Sequence, residues 1–96
     1  LAWLQMRPGQ WGEPARILLT APPSMRRGAW VPRDILVEES RRLGECYRLL
    51  AEERGLPFAD AGEWGVELAF DGVHFTQRGH AAFAQGMNRV LQMLDL

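Results

Sequence analysis

Apolar positions along this chain fall into blocks with two different periods. Ala15-Arg16-Ile17-Leu18-Leu19-Thr20-Ala21 is a short run without alternation, stopped by Pro22-Pro23. A run of that length bounded by turn residues predicts a strand covered on both faces. Residues 24–33 read as a loop with Gly28 and Pro32. From Asp34 to Arg54 the period becomes helical: Leu36, Leu43, Tyr47 and Leu50 share one side, and Glu and Arg fill the other. Gly55 is placed to stop that helix in the left-handed conformation, Pro57 prevents its continuation, and Ser40 is a candidate for a second helix start. Phe58-Ala59-Asp60-Ala61 predicts a second short strand, followed by a loop through Gly62, Trp64 and Gly65. Thr76 then predicts an N-cap, and Phe83, Met87, Val90, Leu91 and Leu94 form one stripe of a final helix.

The order strand, helix, strand, helix predicts parallel strands with helices packed on the sheet. Two strands leave both edges and much of both faces to be covered. The expected architecture is therefore the end of a larger three-layer α/β domain. Ahead of the first strand, Leu1-Ala2-Trp3-Leu4-Gln5-Met6 reads as the end of a helix, and residues 7–14 as a loop rich in Pro and Gly. The absence of an initiator Met points the same way, toward a chain whose start lies elsewhere.

Composition narrows the picture only a little. The 96 residues suffice for one small domain, and a hydrophobic fraction of 47% with 24% charged residues is ordinary for a folded protein. A net charge of −1 gives no electrostatic footprint for nucleic acid, and no apolar run is long enough to span a bilayer. Cys46 is the only cysteine, so no intrachain disulfide forms; it falls on the apolar side of the first predicted helix, where a buried thiol is expected. No compartment can be assigned from these features.

Candidate chemistry concentrates in Asp71-Gly72-Val73-His74-Phe75-Thr76, a turn that runs into the last helix. A carboxylate three residues before a histidine can accept from one ring nitrogen and leave the other for proton transfer, as serine hydrolysis requires. The same spacing also suits a plain surface turn. Asp60, Asp71, His74 and His80 lack the spacing of a known metal motif, and His80 is expected to pack in the first turn of the last helix. No metal or cofactor is called for. The chain has two serines, and neither Ser24, between Pro22-Pro23 and Met25-Arg26, nor Ser40 has the small neighbours of a nucleophile elbow.

The wider block tips the balance. Phe70-Asp71-Gly72-Val73-His74-Phe75-Thr76, followed by Gly79-His80-Ala81-Ala82-Phe83-Ala84, resembles the last conserved block of the SGNH (GDSL-like) hydrolases. Ile17-Leu18-Leu19-Thr20-Ala21-Pro22-Pro23 is similar to that family's late core strand, and the Ser40 to Asp60 segment to its next helix and strand. The resemblance implies a three-layer α/β/α flavodoxin-like domain, of which residues 1–96 form the C-terminal strand-helix-strand-helix portion. It also implies a serine esterase or lipase acting on small acyl esters, with His74 as catalytic base and Asp71 as the acid that orients it. The family's Gly-Asp-Ser block and Gly-x-Asn-Asp block are absent here; Asn88, the only asparagine, lies within the last helix. The nucleophile and oxyanion hole would then come from an N-terminal segment of the same domain, the one partner expected. Trp30, Trp64 and Phe70 are the candidate substrate-pocket residues, whereas Trp3 and Trp11 are expected to cover the core edge. The alternatives are a non-catalytic module that binds a carbohydrate or acyl ligand, and a structural fragment that complements another domain.

Overall fold

A computed structural model describes residues 16–94. The expected helix end at residues 1–6, the loop at 7–14 and the roles of Trp3 and Trp11 lie outside the described residues. In chain order come strand β1 (Leu19–Ala21), helix α1 (Asp34–Arg54), strand β2 (Phe58–Asp60), a 3-10 turn (Ala61–Glu63) and helix α2 (Gln77–Met93). The strands pair in parallel, Leu19 opposite Phe58 and Ala21 opposite Asp60, with α1 as the crossover. The result is a small mixed α/β unit, as the alternation of periods predicts.

Of the strand expected over residues 15–21, the described residues form Leu19–Ala21, paired with the three residues of β2. Helix α1 has the predicted bounds. Gly55 sits at φ 64°, and the Leu56 amide donates to the Ala51 carbonyl at 2.9 Å, closing the helix as a left-handed cap does. At its start, Arg33 provides no side-chain cap, while Asp34 in the first turn pairs with Arg27 at 2.9 Å.

Three expectations on α1 are corrected. Leu36 and Leu43 are exposed, because a sheet only two strands wide reaches little beyond Gly44 and Ala51; Gly44 faces the Ala21 side chain, and Ala51 is the helix's fully buried residue. Cys46 is exposed for the same reason, on the face the sheet does not cover. Ser40 starts no new helix. Its hydroxyl donates to the Val37 carbonyl at 2.7 Å and accepts from the Met25 amide at 2.9 Å, fastening the loop after β1 to the helix.

Helix α2 lays its Phe83, Met87, Val90, Leu91 and Leu94 stripe half-buried against the remainder. Two glycines let it approach closely. A Cβ on Gly79 would collide with the Glu67 carbonyl, and one on Gly86 would enter the Trp64 indole. The core proper is built of small residues: Ala21, Val31, Ala51, Ala59, Ala61 and Val66. Among the described residues no helix is long and apolar enough to cross a membrane.

Candidate active site

Asp71 and His74 lie on a loop that leaves Val66 and returns to the start of α2. Its two limbs are joined across the antiparallel bridge between Leu68 and Phe75. The Ala69 amide donates to the His74 carbonyl at 2.8 Å, and the Thr76 amide to the Glu67 carbonyl at 3.1 Å. Thr76 then starts the helix: its hydroxyl accepts from the Gly79 amide at 3.0 Å and donates to the Glu67 carboxylate at 2.7 Å. The predicted cap is therefore also the hinge pin of the loop.

Within the loop, Gly72 sits at φ 83°, where a side chain would be strained and would strike the Arg26 carbonyl. This conformation turns the chain so that the following amides point back at Asp71. Oδ1 of Asp71 accepts from the Val73 amide at 2.8 Å and the His74 amide at 2.9 Å. Oδ2 faces Nδ1 of His74 at 2.6 Å. The two backbone bonds, followed by the bond and charge of His74, hold the Asp71 carboxyl below the usual carboxylate range, against an opposing push from burial. An ionised carboxylate only accepts, so Nδ1 carries the shared proton, and in the neutral ring Nε2 is then the acceptor. The Asp71 side chain is 9% exposed and the His74 side chain 62%, so the acid is shielded and the base is open. A group with these properties can take and return a proton at Nε2.

A second segment, distant in sequence, completes the geometry. The Arg26, Ala29 and Trp30 amides donate at 3.0 Å to the carbonyls of Gly72, Phe70 and Asp71 respectively. Gly28 and Val31 bridge each other across the turn that carries Trp30, and Val31 is buried beneath Gly72. The Trp30 indole meets the His74 ring edge-on, centroids 5.1 Å apart and planes at 81°, a contact of a type worth about 0.5–1.5 kcal/mol. Trp30 lies in the loop expected of it, but no local pattern in the sequence marks the clamp of 26–31 on 70–72.

The other candidates separate. Phe70 lies beside Asp71 with its side chain exposed. Trp64 instead packs against Phe83 of α2, with centroids 5.2 Å apart, and fills the notch over Gly86. His80 packs on Phe75 at 5.2 Å in the first turn of α2, and Asp60 accepts from the Gly62 amide at 2.8 Å. Among the described residues no group of three acidic, His or Cys side chains comes together as a metal site. Ser40 is committed to the Met25 and Val37 backbone.

The parallel βαβ unit makes the described residues a small mixed α/β fold, and that fold is similar to solved structures. An Agrobacterium tumefaciens str. C58 protein described as a candidate arylesterase superposes with a TM-score of 0.63, at 34% identity over 83% of this chain and 38% of its own. Another solved structure, also at a TM-score of 0.63, is 26% identical over 92% of this chain and 43% of its own. The chain thus spans about two fifths of the length of these structures. No protein-family model matches it, and no curated protein does.

Proposed function

We propose that this chain is the C-terminal segment of an SGNH-type serine esterase, in which Asp71 and His74 serve a nucleophilic serine and an oxyanion hole supplied by an N-terminal segment of the same three-layer α/β/α, flavodoxin-like domain. The observation that carries the reading is the Asp71–His74 pair, a shielded acid on Nδ1 with an open imidazole beyond it. Support for the missing partner comes from the exposed Ile35, Leu36, Leu43 and Leu49 of α1, and from the fraction of each structural neighbour that the chain spans.

In the proposed cycle the serine Oγ attacks the acyl carbonyl while Nε2 of His74 takes its proton. Asp71 stabilises the imidazolium and holds its orientation. Collapse of the tetrahedral intermediate breaks the bond to the alcohol, which leaves with the proton from Nε2. Water then attacks the acyl-enzyme, gives its proton to His74, and the serine recovers it as the acid departs. Small acyl esters are the proposed substrates. The arylesterase likeness makes an aryl ester the first to try, and Trp30 and Phe70, both exposed near Asp71, are proposed to border its pocket.

A fluorophosphonate probe applied to the protein carrying both segments tests this reading. The expected result is one adduct on a serine of the N-terminal segment, with labelling and ester turnover reduced about 10⁴-fold or more by His74→Ala. Near-normal activity in that variant would sink the assignment. Absence of any adduct would favour the non-catalytic module for an acyl or carbohydrate ligand.

A further inference from the structure

The contact between Trp30 and His74 is more than a meeting of two exposed side chains. Three consecutive carbonyls, those of Phe70, Asp71 and Gly72, each accept from an amide of the 26–31 loop. The turn bearing Trp30 is itself pinned by the Gly28–Val31 bridge and by the burial of Val31. A Cβ on Gly28 would run into the backbone of residues 70–72, so the loop cannot stand further off without losing these bonds. The indole therefore springs from a point fixed relative to Asp71, and only its own side-chain torsions are free.

The imidazole is held differently. Nδ1 has one partner, Asp71, and the side chain is 62% exposed, so a single hydrogen bond is all that selects its rotamer on that side. A ring tethered at one nitrogen can swing about that tether. The indole, in edge-on contact at 5.1 Å, occupies part of the space through which it would swing.

We infer that Trp30 is a positioning residue for His74: it holds the imidazole in the rotamer that keeps the Nδ1 proton on Asp71 and directs Nε2 outward. It acts through the ring and exchanges no proton. The catalytic consequence rests on the hydrolase reading, but the positioning itself does not.

Nitrogen-15 spectra of the histidine ring, recorded on the full-length protein and its Trp30→Ala and Trp30→Phe variants, separate the possibilities. The wild-type ring is expected to show one tautomer, protonated at Nδ1, with slow exchange of that proton. In Trp30→Ala the exchange should quicken about two- to tenfold, the range that an aromatic pair supplies, and the second tautomer should become visible. Trp30→Phe should recover most of the wild-type spectrum. Cooperative unfolding should change little in either variant, since Trp30 is 64% exposed. A Trp30→Ala ring spectrum identical to wild type overturns the inference, and so does loss of cooperative folding in that variant, which would make the role structural. Fluorophosphonate labelling of the same samples reads the other question: a wild-type protein that is never labelled overturns the hydrolase reading and leaves the ring result standing.

Discussion

Helix α1 spans 21 residues and buries Ala51 alone, whereas α2 spans 17, buries Gly79 and Gly86, and begins at a side-chain cap. Much of what holds α1 is local. Arg41–Glu38, Arg42–Glu39 and Arg48 with Glu45 and Glu52 pair along its exposed side, and one apolar flank remains open. What holds α2 lies outside the helix itself: Glu67 grips its cap, Phe75 and Trp64 pack on it, and its glycines admit the backbone and indole of other segments. The helix joined to the Asp71–His74 loop is held through its cap and its glycines; the other packs on the strands through Gly44 and Ala51 and adds ion pairs along an exposed side.

Substitutions can test that contrast. The largest effect is expected from Gly79→Ala, whose methyl group meets the Glu67 backbone; a cost of about 1–3 kcal/mol follows from overpacking of this kind, read as a lowered denaturation midpoint. The matching change on α1, Gly44→Ala, adds a methyl group at an ordinary 3.8 Å from Ala21 and should be close to neutral. Equal losses at the two positions would break the comparison. Acid should act on the α2 side next. The Asp71 carboxyl is held below its ordinary value of 3.8 in the fold, so its stabilising contribution is present above that value and disappears as pH falls through the lower, folded one. A carboxyl NMR titration of Asp71 should therefore show it still ionised at about pH 5, with its midpoint below the ordinary carboxylate value. Thr76→Ala removes a cap and should cost about 1 kcal/mol, with the earliest hydrogen exchange at residues 76–80. A small loss is expected on α1: Arg42→Ala, which breaks an exposed pair with Glu39, should cost about 0.2–0.5 kcal/mol and weaken further in salt.

What could be read from the residues divides along the same line. The extent of α1, its stop at Gly55, the cap at Thr76 and the parallel order all follow from local chemistry that a sequence carries openly. Asp71 and His74 were legible as a pair because Gly72 and the two following amides fold the loop within four residues. Features set by width and distance were not legible. Leu36, Leu43 and Cys46 have the periodicity of a buried face, but the sheet beneath them is too narrow to cover it. Trp64 has the look of a loop aromatic at the pocket, and it was the small Gly86 on α2 that drew it to the helix instead. Nothing local announces that residues 26–31 grip residues 70–72, since that contact joins parts of the chain separated by a helix and a strand.

That grip also bears on the order in which the protein is synthesised. The turn carrying Trp30 leaves the ribosome well before the carbonyls that receive its amides, and all of α1 and β2 are made in the interval. During that time the Arg26, Ala29 and Trp30 amides are solvated, and the neighbouring exposed indole has no ring to meet. The acid and base can be brought into register with that turn only after residue 74 has emerged. A nascent chain arrested between β2 and Gly72 lacks the carbonyls that receive the turn's amides, so a protease directed at residues 26–33 should cut it more readily than the finished protein.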